Sequence, residues 1–465
     1  MFKLRSLFFA LSTFALLTSC GGDDEPDPGP GPSTGSGVLE SSSITEGQVV
    51  DASTSQIVLT YSNPIRVSSA NPATLNSKAL NDYTATGRTL TLRFSLEEGT
   101  QYTLVIPNGY VSINGHSMAE YKLNFSTAAP VVPPTPGESV AAKLVTPSPS
   151  AEAVKLYDFF KSIYGKKQLS GAMGEVAWGT AYVDAIAQKY GKYTAIVGFD
   201  YIHIPYSPAN WIDYSDITPV KKVWDAGSIP AVTWHWNVPD GKGRYTTDSK
   251  APFSPSKIFV NGSDEQRIAE ADVAEMAASL TKLRDAGIPV IFRPFHEAAG
   301  DYTWGTWFWW GKEGVEVTKQ LYGWLFNKLT NEYKLNNLVW VWTVQCTREG
   351  KPTGLADLRS AYPGDNYVDI VGPDIYDEPL SDQSGYFNLV NSLVEGRKMV
   401  ALTETGNLLD PTVQFKNHTL WLYFMSWYEW CDSGAALGTE WNKNGEWGKV
   451  LSNPYVLNRG DFSIK

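Results

Sequence analysis

Two hydrophobic rhythms divide the chain. Between about Val38 and Thr127, apolar and polar residues alternate in short runs such as Gln56-Ile57-Val58-Leu59-Thr60-Tyr61, Thr89-Leu90-Thr91-Leu92-Arg93-Phe94 and Tyr102-Thr103-Leu104-Val105-Ile106, separated by turn residues. A period of two sends successive side chains to opposite faces of a strand, so residues 38–128 are expected to form a small all-β sandwich. From Ser139 onward, apolar β-branched runs alternate with helical stretches, the signature of βα units around a parallel sheet. The runs place strands near Gln168–Ala172, Thr194–Phe199, Pro230–His235, Pro289–Arg293, Leu338–Trp342, Asp369–Pro373, Met399–Thr403 and Leu420–Ser426, with amphipathic helices at Asp264–Ala286 and Gly314–Tyr333. Eight such strands in a region of about 325 residues predict a (β/α)8 TIM barrel over residues 139–465. A doubly wound sheet would carry a Gly-rich phosphate loop after its first strand, and none follows here. Between the two regions, residues 129–138 hold Pro130, Pro133, Pro134 and Pro136, the composition of a stiff, extended linker.

The chain begins differently. Lys3 and Arg5 precede an apolar run from Leu7 to Leu17 that is too short for a membrane span and ends in small residues, so residues 1–19 read as a signal peptide. The tetrad Leu17-Thr18-Ser19-Cys20 resembles the bacterial lipobox, which implies lipid attachment at Cys20 and a membrane anchor. Residues 20–37 are rich in Gly, Pro and Ser and form a tether. Asp23, Asp24 and Glu25, close behind the Cys, resemble the surface-export signal of Bacteroidetes lipoproteins, implying an exported protein on the outer membrane at the cell surface. The sandwich that follows is similar to bacterial immunoglobulin-like modules. With no Trp to stack a sugar, it reads as a spacer.

Composition narrows the function. A net charge of -11 with no basic stripe repels phosphate backbones, which excludes nucleic acid as a partner. The 17 Trp fall largely beside Gly, Asn and Asp; most are expected in the core, and the rest supply flat faces for a sugar-stacking cleft. Of three Cys, Cys346 and Cys431 remain after Cys20 and are expected as two free buried thiols.

In a barrel, the polar residues that close an apolar strand run sit at the active-site face. Two endings deliver a glutamate there: Val290-Ile291-Phe292-Arg293-Pro294-Phe295-His296-Glu297 and Val400-Ala401-Leu402-Thr403-Glu404. A pair of carboxyl groups is what glycosidic hydrolysis needs, one to protonate the leaving oxygen and one to attack or to activate water. His296-Glu297 does not continue into a zinc helix, because Gly300 stands where a second His would be required. No metal site, cofactor or serine nucleophile elbow is expected.

These residues belong to a wider set: Arg293-Pro294-Phe295-His296-Glu297, Trp307-Phe308-Trp309-Trp310-Gly311, Gly372-Pro373-Asp374-Ile375-Tyr376, Leu402-Thr403-Glu404-Thr405-Gly406 and Phe424-Met425-Ser426-Trp427. In this order, the chain from about Ser139 resembles glycoside hydrolase family 26, the β-mannanase family. The resemblance implies Glu297 as acid/base and Glu404 as nucleophile. It further implies sugar contacts from His235, His296, Trp307 and Trp427, and a Tyr376 that holds the nucleophile; Arg293 joins this substrate-binding set. Trp304 competes with Trp307 for its position. Strand parity places Arg293, Phe295 and Glu297 on one face and turns His296 away, unless the strand ends or bulges there.

The function implied is that of a retaining, endo-acting β-1,4-mannanase acting on mannan, galactomannan or glucomannan. The alternatives are the same fold and mechanism on mixed-linkage β-glucan or β-1,3-xylan, and a non-catalytic surface lipoprotein that binds glycan.

Overall fold

The computed structural model describes residues 37–50, 52, 54–68, 70–97, 99–127, 139–204, 212–240, 246–298, 306–345, 347–348, 351–352, 354–376, 383–427 and 446–465. Cys20, Trp304, Cys346 and Cys431 lie outside them, as do the signal peptide and residues 129–138. Packing divides the chain into two compact units, one running up to Pro130 and the other from Val131 onward.

The first unit is all-β. One sheet pairs Leu39–Ser42, Gln56–Tyr61, Thr89–Arg93 and Tyr83–Thr86, and another is built around Gln101–Ile106 and Tyr121–Thr127. The alternating runs behave as their period requires. Ile57, Leu59, Leu90, Leu92 and Leu104 are fully buried, while their strand neighbours face outward. Tyr102 and Phe125 stack at 5.5 Å across the paired strands, the aromatic cross-strand contact that pins register.

In the second unit, eight parallel strand positions close on themselves: β1 (Gly171–Met173), β2 (Ile196–Asp200), β3 (Ile229–Trp234), β4 (Val290–Pro294), β5 (Leu338–Val344), β6 (Ile370–Ile375), β7 (Met399–Val400 continued as Leu402–Thr405) and β8 (Phe424–Ser426). The β1–β8 and β5–β6 pairings complete the ring. A helix follows each strand, from Ala181–Tyr190 after β1 to Glu446–Leu451 after β8. The fold is the expected TIM barrel, with differences at the element ends. Gln168–Leu169 leaves the barrel to pair with a C-terminal strand, Val456–Leu457, that the hydrophobic pattern did not reveal. The helix expected to run to Tyr333 is α-helical only over Val315–Asn327 and closes in a π-helical turn, Lys328–Glu332.

The long helix Asp264–Asp285 shows how local sequence sets these borders. Ser263 accepts the Gln266 amide at 3.0 Å, a cap contributing about 1 kcal/mol, and Asp264 and Glu265 favour the positive end of the dipole. Ala269, Val273, Met276, Ala277 and Leu280, spaced for one helix face, are buried. Gly372 in β6 permits a close approach: a Cβ there would lie 2.1 Å from the Ala401 carbonyl oxygen, where β7 is interrupted.

Candidate active site

The candidate residues converge at the carboxyl ends of the strands. Arg293 projects from β4 into the barrel, where its guanidinium binds Asp374 of β6 at 2.9 Å and a carboxylate oxygen of Glu404 on β7. All three side chains are nearly inaccessible to water. Burial alone would weaken the Arg293 charge, but the two carboxylates outweigh it and hold the group protonated. Tyr376, just past β6, donates its hydroxyl to the other oxygen of Glu404. Glu404 therefore accepts two hydrogen bonds, one of them charge-assisted.

Glu297 approaches the same point from β4. One oxygen of each of Glu297, Asp374 and Glu404 lies within 4.8 Å of the other two. Three carboxylates at this spacing could in principle hold a divalent cation. Here the Arg293 guanidinium already supplies the positive charge to two of them. Glu297 makes no arginine ion pair among the described residues, and it titrates well above the usual carboxylate range, pushed first by burial and then by the charges of Asp374 and Glu404. A proton is thus held at Glu297, the pattern of an acid set beside an anion.

Strand parity fails at this point. The strand ends at Pro294, and Phe295 (φ 50°) and Glu297 (φ 51°) both take the left-handed backbone that side chains rarely adopt. Phe295 turns into the shell between barrel and helices, against Trp236, Trp309 and Trp310, instead of sharing a face with Arg293. His296 turns toward β3, and its Nε2 lies 2.9 Å from Nε2 of His235, the residue that follows β3. Two positive-φ residues flanking one histidine are strain stored where the chain has to aim a functional group.

Around this centre, Trp307 is the one exposed Trp among the described residues, and its indole donates to Glu297 at 2.6 Å. Its backbone is tied to a neighbouring loop: Trp307 O accepts from Ser249 at 2.8 Å, and Trp309 donates to Thr247 O at 2.9 Å. Trp427, after β8, is buried with its ring 5.3 Å from that of His235. Glu297, Glu404, Arg293, Tyr376, Trp307, His296, His235 and Trp427 are therefore brought together. Reading the sequence gave no role to two further members, Asp374 and Asp200. Both close an apolar strand run, the signal that singled out Glu297 and Glu404.

Replacing Arg293 with alanine strands two buried carboxylates without their cation. We expect a loss of about 3–5 kcal/mol in unfolding free energy, read by chemical denaturation; an unchanged midpoint contradicts the ion-pair assignment.

Residues 145–461 match the family described as Glycosyl hydrolase family 26. The chain belongs to that family. It is accordingly a glycoside hydrolase. Residues 35–127 match the Bacterial Ig-like domain. Among relatives within the family, the mannan endo-1,4-β-mannosidase of Thermothelomyces thermophilus is 32% identical over 76% of this chain and 71% of its own length. A mannan endo-1,4-β-mannosidase A from Piromyces is 30% identical, and this chain covers 47% of it. Among solved structures, the family domain of an endo-β-mannanase/endo-β-glucanase from Prevotella bryantii superposes with a TM-score of 0.61 at 35% identity, covering 69% of this chain and 98% of that one. A β-mannanase from a symbiotic protist of the termite Reticulitermes speratus, solved with a gluco-manno-oligosaccharide, gives 0.60 at 32% identity, covering 70% and 98%.

Proposed function

We propose that the protein is a retaining endo-β-1,4-mannanase in which Glu404 is the nucleophile and Glu297 the acid/base. The observation that carries the stereochemistry is the spacing of the two carboxylates. One oxygen of each lies within 4.8 Å of the other, which fits the roughly 5–5.5 Å separation of retaining enzymes and falls short of the roughly 6.5–9.5 Å of an inverting pair. The substrate class rests on the mannanase relatives and on the gluco-manno-oligosaccharide bound by a structural neighbour.

In the first step, a Glu404 oxygen forms a bond to the anomeric carbon of a β-mannosyl unit. The bond to the leaving sugar breaks, and that sugar's oxygen takes the Glu297 proton. In the second step, water gives a proton to the Glu297 carboxylate and bonds to the anomeric carbon, releasing Glu404. Two inversions retain the configuration. Arg293 and Tyr376 stabilise Glu404 as an anion and as a leaving group, while the proton on Glu297 is lost as pH rises through its elevated pKa.

The Trp307 indole favours the charged form of Glu297 and so pulls its pKa down. Trp307→Phe keeps a ring and removes the donor. The alkaline limb of kcat/KM is expected to move to higher pH, measured on a soluble mannooligosaccharide; a limb that stays or falls contradicts this contact.

At the chain's start, we propose that Cys20 carries a lipid, that residues 20–37 are a tether, and that the enzyme is displayed on the outer membrane facing outward, with the Ig-like module as spacer. This reading is supported by the Leu17-Thr18-Ser19-Cys20 tetrad and the acidic residues behind it. The test of function is product analysis on linear mannan, galactomannan, mixed-linkage β-glucan and xylan. Mannooligosaccharides are expected; turnover of glucan or xylan without mannan would move the substrate, and binding without turnover would sink the enzyme reading.

A further inference from the structure

Resting on the glycosidase reading above, we infer that Asp200 is a positioning residue. Through His235 and His296 it fixes a one-way hydrogen-bond chain that holds the turn carrying Glu297. Asp200 closes β2 and is 1% exposed. Both of its oxygens serve one residue: Oδ1 accepts the His235 backbone N–H at 3.0 Å, and Oδ2 lies 2.5 Å from His235 Nδ1. A carboxylate only accepts, so the His235 proton sits on Nδ1.

The remaining ring nitrogen of His235 faces His296 Nε2 at 2.9 Å, and one proton must lie between them. It has two possible sources. If His235 supplied it, a neutral His296 would carry its own proton on Nδ1, which is buried and has no hydrogen-bond partner among the described residues. If His296 supplies it, that Nδ1 is a bare acceptor. A buried orphan N–H is the rarer and more costly state, so the direction is His296 Nε2–H to His235 Nε2, and His235 Nδ1–H to Asp200.

This chain matters because of what His296 connects. It lies between Phe295 and Glu297, the two left-handed residues beyond the last ladder pairing of β4. Its carbonyl accepts from the Trp310 indole at 3.0 Å, and its ring packs against Phe308 at 4.8 Å. The ring contact to His235 is its link back across the barrel mouth to β2 and β3. A carboxylate at position 200 therefore acts at a distance on where Glu297 points.

Asn at this position cannot accept twice with its one oxygen. With that oxygen on the His235 backbone N–H, its amide NH₂ donates to Nδ1, which favours the tautomer with that nitrogen bare and the ring proton on Nε2, and the chain reverses. Asp200→Asn is expected to lower kcat by about 10²-fold, the cost of a reacting group misplaced by roughly an ångström, with KM changed far less.

The direct test is nitrogen-15 NMR of histidine-labelled protein, tractable because the chain has only five His. In the parent, His235 should show a protonated Nδ1 and bare Nε2, and His296 a protonated Nε2 and bare Nδ1; D200N should reverse His235. A parent His296 protonated on Nδ1 overturns the inference, as does D200N with full kcat, or with lost kcat but the parent's tautomers. The NMR reading needs no substrate. A protein that leaves mannan intact yet shows these tautomers would fail the mannanase reading, not the chain.

Discussion

Glu404→Ala is expected to lower kcat on mannooligosaccharides by on the order of 10⁵-fold or more, because it removes the group that forms the covalent intermediate. The expectation follows from geometry. Arg293 and Tyr376 each spend a hydrogen bond on Glu404, so both its oxygens are fixed at the point the anomeric carbon has to reach. The variant leaves a small cavity lined by a cation and a hydroxyl, a natural seat for azide. Azide attacking from that seat inverts the sugar once, so added azide should restore turnover and yield an α-mannosyl azide. Recovery of a β-product, or residual activity near the parent's, would show that another group attacks.

Glu297→Ala should behave differently. Loss of a positioned proton donor costs about 10²–10⁴-fold in general acid catalysis, and the loss falls only where the leaving oxygen needs a proton. An aryl mannoside with an acidic phenol as leaving group should therefore still form the glycosyl-enzyme rapidly and stall at its hydrolysis, giving a burst equal to the enzyme concentration. Azide then attacks the intermediate from the opposite side, and the product is a β-mannosyl azide. The alkaline limb of the pH profile should vanish with the Glu297 carboxyl, whose elevated pKa comes from burial and from the Asp374 and Glu404 charges. An equal loss on activated and unactivated substrates would contradict the acid role.

The barrel was legible because its strands are buried on both faces and leave unbroken apolar runs: Leu338–Val344 is buried at every position. Strand ends were harder to read. Hydrophobicity continues through Phe295, yet Phe295 is buried in the outer shell of aromatic rings and not on a strand, and composition does not distinguish these two fates. The C-terminal strand Val456–Leu457 is two residues long, below any period that a sequence can display.

At the site, the two glutamates could be picked out because each ends an apolar run. Asp374 and Asp200 do so equally, but their work is on other side chains, Arg293 and His235, and only the closed ring brings those partners within reach. Trp307 shows the converse. Its motif could be read, but its 2.6 Å hydrogen bond to Glu297 depends on a loop held by Thr247 and Ser249.

A carboxylate pair this close works by double displacement, and the anomeric configuration of the first product is the most direct test. Proton NMR of the purified protein acting on a mannooligosaccharide, recorded before mutarotation, should show the new reducing end appearing first as the β-anomer and converting later to the α-form. An α-anomer first would mean a single inversion, and would contradict the assignment of Glu404 as nucleophile.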